Sequence, residues 1–130
     1  SCEMGHRILL IEDAPQVANI LITKLGREGH ALAWVRSSAA ARQTLNEKPF
    51  DLILLSTYLL PKHDAWELLA ELRRGESPSS PPIVMMLEAE ETHLAEKATE
   101  EGCLAVIQKP FKPTVVARQI RELPLPTPAP

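Results

Sequence analysis

Three points along the chain bring together residue types that can do chemistry. Glu12 and Asp13 follow the apolar run "RILLI", Ser56 and Thr57 end the run in "DLILLSTYLL", and Lys109 follows "LAVIQ". An acid pair can hold a divalent cation or pair with a base, and a lysine can hold an anion. An aliphatic hydroxyl becomes a nucleophile only with a general base beside it, whereas a carboxylate is ionised near neutral pH without help. Two acids facing a lysine, with hydroxyls between them, is the constellation the fold has to explain.

The elements that position these residues alternate along the chain. "RILLI" (7–11), "ALAWV" (31–35), "LILLS" (52–56), "IVMML" (83–87) and "LAVI" (104–107) are short continuous apolar runs, as expected of strands buried on both faces. Between them lie helical patterns. Residues 15–29 carry Val17, Ile20, Leu21 and Leu25 at helical spacing, with Pro15 in the first turn and Gly29 near the exit. Ser37 or Ser38 caps an Ala-rich helix ending near Asn46, and Asp64 caps one with Ala65, Leu68, Leu69 and Leu72 on a single face. Residues 90–101 read as a polar helix with a thin apolar face of Leu94, Ala95 and Ala98, and a last helix uses Val116, Ile120 and Leu123. Five strands each followed by a helix predict an α/β domain with a parallel sheet, whose ligands belong at the carboxyl ends of the strands. Glu12-Asp13, Ser56-Thr57, Leu87-Glu88 and Lys109-Pro110 all stand at such ends.

Composition narrows the function classes. The chain has 130 residues, 45% of them apolar and 24% charged, with 14 basic against 17 acidic residues. A domain of this size buries roughly two thirds of its extended-chain surface without staples. The basic residues are scattered with no aromatic interleaving, which argues against nucleic-acid binding by this domain. Cys2 and Cys103 form no disulfide framework, and no apolar run approaches a membrane span, so a cytoplasmic domain is expected. His6, His30, His63 and His93 have no metal-ligand spacing and read as surface residues. "GESPSSPP" (75–82) reads as a connector, and residues 124–130, "PLPTPAP", read as an extended tail or linker after a domain spanning 1–123.

"ILLIEDAP", "LLPKHDAWELL" and "KPF", in this order and spacing, resemble the receiver domain of two-component response regulators over about residues 6–123. The resemblance implies a flavodoxin-like (βα)5 three-layer sandwich with parallel sheet order 2-1-3-4-5. It also implies a central aspartate that accepts phosphate, an acid pair that helps bind Mg²⁺, a Thr or Ser and a Lys that hold the phosphoryl group, and an aromatic switch. The acid pair falls on Glu12 and Asp13 and the lysine on Lys109, followed by a proline whose peptide bond is often cis in the family. Counting back from "LLPKHDA" puts the acceptor position at Thr57; counting forward from Asp51 puts it at Ser56. The loop match from Thr57 through Leu68 needs no insertion and favours Thr57. In either register the aspartate is absent. The Thr/Ser position falls on Leu87 and the aromatic position on Val106.

These departures predict an atypical, pseudo-receiver domain. Leu87 cannot bond a phosphoryl oxygen, Val106 has no ring to swing, and the pocket has lost one carboxylate, so any Mg²⁺ binding is weak and no cofactor is required. Lys109 is expected to pair with Glu12 or Asp13, because an unpaired buried charge is costly. The expected partners are other signalling proteins or an attached effector domain, met without phosphorylation and without nucleic acid or membrane. Residues 90–101 with the fifth strand and last helix, or the loop from Tyr58 to Trp66, are the candidate contact surfaces. The alternatives are a small-anion or divalent-metal pocket, and a receiver still phosphorylated on a non-standard acceptor. Flavin binding is disfavoured because no Ser/Thr/Gly-rich phosphate loop follows the first strand.

Overall fold

Strands that are apolar at every position can be satisfied only with helices on both faces. The computed structural model describes residues 5–74 and 80–126; Cys2, most of the 75–82 connector and the end of the proline tail lie outside the described residues. The strands are β1 (Arg7–Ile11), β2 (Ala31–Val35), β3 (Leu52–Ser56), β4 (Ile83–Leu87) and β5 (Ala105–Gln108). The first four coincide with the apolar runs. β5 is displaced by one residue: Leu104 remains on the exposed rim, and Gln108 joins the strand opposite Leu87. All pairings are parallel, in the order β2-β1-β3-β4-β5.

The helices follow from local chemistry. α1 (Pro15–Arg27) and α5 (Pro113–Glu122) each begin with proline, whose missing N–H costs nothing in a first turn. α2 (Ser38–Glu47) is capped by Ser37, whose Oγ accepts from the Ala40 N–H at 3.1 Å. α3 (Asp64–Arg74) takes Asp64 as its first helical residue, with Glu67 also in the acidic first turn and Arg73 and Arg74 in the last. The polar helix expected over 90–101 is instead two pieces, a 3-10 helix over Ala89–Leu94 and a short α4 over Ala95–Glu100. Glu91 departs from helical geometry (φ −107°, ψ 16°) because its carboxylate folds back to accept from the Glu88 N–H and the Thr57 hydroxyl.

Strand side chains alternate between two cores. Leu9, Ile11, Ile53, Leu55, Met85 and Leu87 pack against α2, α3 and α4 through Ala41, Leu68, Leu69 and Ala98. Ile8, Leu10, Leu52, Leu54, Met86 and Ile107 pack against α1 and α5 through Leu21, Leu25, Val116 and Ile120. The same alternation continues past the strand ends and decides which polar residues meet there.

Two of the histidines expected on the surface are partly buried at the opposite edge of the sheet. The His30 Nδ1 accepts from the His6 N–H at 3.0 Å, and the rings stack with centroids 5.7 Å apart. Burial, then the neighbouring His6, holds the His30 pKa below its ordinary value.

Candidate functional site

Two residues further along β1, β3, β4 and β5, the side chains facing α1 and α5 are Glu12, Ser56, Glu88 and Lys109. They converge. The Lys109 Nζ lies 2.8 Å from Glu12 Oε1, 2.6 Å from Glu88 Oε2 and 3.0 Å from Ser56 Oγ. An ammonium has three donors, and all three are engaged, two of them in charge-assisted bonds. Glu12 has no exposed surface, and its Oε2 accepts from the Ala14 N–H at 3.0 Å, at the entry to α1. Ser56 is fully buried and its Oγ also accepts from the Tyr58 N–H at 3.0 Å. Tyr58 is half exposed, with its ring centroid 5.9 Å from the Lys109 Nζ.

The opposite parity sends its residues elsewhere. Thr57, on the α3–α4 side, donates from Oγ1 to Glu91 Oε1 at 2.5 Å, and its N–H donates to the Met86 carbonyl at 3.0 Å. Leu87 is fully buried and Val106 packs partly against the same core, so neither faces Lys109. Asp13 separates from Glu12: its Oδ1 is 3.1 Å from Arg36 Nε, and the Arg36 guanidinium also donates to the Asp13 carbonyl at 2.8 Å. Arg36 lies over the Trp34 ring, whose Nε1 donates to the Glu12 carbonyl at 2.7 Å. The two acids read together in the sequence therefore belong to different networks, one in the pocket and one on the β2 edge.

Ser56, rather than Thr57, is the hydroxyl that meets the lysine. The chain thus places three residues between Ser56 and the Leu60-Pro61 pair. Glu88 is the pocket residue that the sequence reading does not single out, although it stands at a strand end. Alternation carried two positions past Met86 would have found it. Gln108 supports this edge by donating from Nε2 to the Glu88 carbonyl at 2.7 Å, and the Lys109–Pro110 peptide bond is cis.

The residues present do not fit a Mg²⁺ site. Mg²⁺ needs near-octahedral oxygen ligation with carboxylates free to turn toward it. Here Glu12 has both oxygens engaged, Glu88 is held by the ammonium, Asp13 is held by Arg36, and the fourth group is a neutral hydroxyl. Among the described residues no group of three or more His, Cys, Asp or Glu side chains is gathered for a metal. Nor does Ser56 have a base: its hydrogen-bond partners, an ammonium and a backbone N–H, are both donors.

The family profile of the response regulator receiver domain matches residues 8–121. The chain belongs to the response regulator receiver family. This receiver is 28% identical over 117 residues to the transcriptional activator protein IrlR of Burkholderia pseudomallei, covering 90% of this chain and 49% of that protein. It is 30% identical over 118 residues to the DNA-binding response regulator MtrA of Mycolicibacterium smegmatis, covering 91% of this chain and 50% of that protein. It also superposes on NtrX of Brucella abortus with a TM-score of 0.80 at 24% identity, over 91% of this chain and 26% of that one. The receiver spans about half the length of the curated relatives it matches. It has the flavodoxin-like receiver fold and is a signalling module, not an enzyme; among the described residues no helix is long and apolar enough to cross a membrane.

Proposed function

We propose that this receiver acts by protein–protein contact without phosphorylation at the usual strand-end position. One observation carries the reading: the side chain that meets Lys109 from β3 is a hydroxyl, Ser56, both of whose partners are donors. A phosphoryl group needs an ionised oxygen to accept it, and a hydroxyl with no base supplies none. Leu87, packed into the core, and Val106, packed partly against it, support the same reading, since neither offers a donor or a ring to a group bound at Lys109. Ser56 takes the acceptor position in this reading, and Thr57 belongs to the clasp on Glu91.

The partners are other signalling proteins or an effector domain joined to the same chain. Two faces suit them. One is the 3-10 helix and α4 with β5 and α5; the other is the loop from Tyr58 to Trp66, where Tyr58 and Leu60 are both exposed. Incubation with acetyl phosphate and Mg²⁺, followed by intact mass, tests the reading. The expected spectrum shows the unmodified mass; a phosphoryl adduct mapped to Ser56 or Thr57 would overturn it.

A further inference from the structure

Of the three side chains that hydrogen-bond the Lys109 ammonium, Glu88 is the one that solvent can reach. Its side chain retains 27% of its surface, against 0% for Glu12, and yet it makes the shortest contact to the ammonium, at 2.6 Å. It stands at the β4 exit, immediately before the 3-10 helix Ala89–Leu94. That helix is tied a second time through Glu91, whose Oε1 takes the Glu88 N–H at 2.8 Å and the Thr57 hydroxyl at 2.5 Å. Gln108 adds a third tie, from β5 to the Glu88 carbonyl. The start of the 3-10 helix is thus bound to the ends of β3 and β5 by carboxylates belonging to the chain itself.

We infer that Glu88 is an anion supplied in cis: its carboxylate fills the solvent-facing side of Lys109 and, with Glu91, fixes the turn at 88–91 in one position. This extends the reading of an unphosphorylated receiver, because a lysine already holding an internal anion needs no added group to order the turn beside it. The geometry has a further consequence. Truncating Glu88 to alanine removes a CH₂–COO⁻ unit, the size of acetate, from a position open to solvent. It leaves Lys109 with Glu12 and Ser56 and one unfilled donor. The truncated pocket should therefore accept a small carboxylate from solution, with acetate as the probe.

Amide hydrogen exchange on the 130-residue chain, never exposed to a phosphodonor, separates this inference from the phosphorylation test. In Glu88→Gln, which keeps the shape and loses the charge, the amides of 88–94 are expected to exchange about tenfold faster or more, with the core strands unchanged. Glu88→Ala should behave likewise, and sodium acetate should restore protection where sodium chloride at equal ionic strength does not. Wild-type exchange rates in Glu88→Gln would overturn the inference, since the charge would then be irrelevant. Equal effects of acetate and chloride on Glu88→Ala would overturn it too. Circular dichroism establishes that each variant is folded, and the Gln variant decides the matter alone if the Ala variant is not.

Discussion

The Lys109 ammonium and the Glu12 carboxylate meet at 2.8 Å across 97 residues of sequence, with Glu12 wholly removed from solvent. Removing one partner of such a pair leaves the other buried and uncompensated, which costs about 3–5 kcal/mol. Lys109→Met should lose stability of that order in urea unfolding. Adding Glu12→Gln should recover much of the loss, since the wholly buried carboxylate is then gone and the charge left without its partner is Glu88, which solvent reaches. A double variant as unstable as the sum of the two single ones would mean the pair is not coupled.

Stability should fall on mild acidification. Burial, followed by the adjacent His6 and by Arg121, lowers the His30 pKa from its ordinary 6.5; Glu28 acts in the opposite sense without reversing the direction. The unfolded chain therefore binds a proton more readily than the native one. The stability associated with neutral His30 is present above pH 6.5 and is lost as pH falls through the lowered native value. The structural reason is plain, because the Nδ1 that accepts from the His6 N–H cannot accept once protonated. Urea unfolding from about pH 7.5 to about pH 5 should show the decline, and His30→Gln should flatten it.

Gly102 ends α4 with a φ of 103°, and a Cβ there would lie 2.8 Å from the Cδ of Arg73. Gly102→Ala should cost about 1–3 kcal/mol by thermal or urea unfolding, from backbone strain and the displacement of Arg73. Arg73 donates to the Pro81 carbonyl at 2.8 Å, so the clash also disturbs the approach to β4. Combining Gly102→Ala with Arg73→Ala removes the clash and leaves the strain, which apportions the two effects.

Cys103 should be inert in the native protein. Burial pushes its thiol up to about 11 from 9.0, with Arg73 only partly opposing, so the thiolate is about a hundredfold scarcer than for an ordinary cysteine. Iodoacetamide followed by peptide mapping should leave Cys103 unmodified in buffer near neutral pH and label it in urea. Rapid native labelling would show that the strand β5 edge opens readily.

Most of the fold could be read from the chain because strands buried on both faces are written as unbroken apolar runs, and β1 to β4 match theirs residue for residue. The site was harder for a specific reason. Matching the loop "LLPKHDA" without a gap favours Thr57, while counting forward from Asp51 favours Ser56; the alternation along β3 turns Ser56 toward Lys109 and Thr57 toward Glu91. Glu88 follows from the same alternation through Val84 and Met86. What local reading could not reach are contacts made by pairing. Asp13 finds Arg36 only because Ile11 lies beside Val35 in the parallel register of β1 and β2. The expected 90–101 helix is interrupted where Glu91 folds back onto the Glu88 N–H and onto the hydroxyl of Thr57, far away in sequence.

The bond from the Trp34 indole to the Glu12 carbonyl gives the domain an optical gauge of its own. Of the two tryptophans, Trp34 sits against the β1–α1 turn, and Trp66 sits across the sheet, where Lys97 approaches its ring at 4.1 Å. Replacing Trp66 with phenylalanine leaves a single tryptophan, excited apart from Tyr58 at the red edge of its absorption, one residue's backbone away from the lysine pocket. Its emission would then register, without any attached dye, whether a partner seated on the Tyr58 loop is felt at the buried charges or stops at the surface.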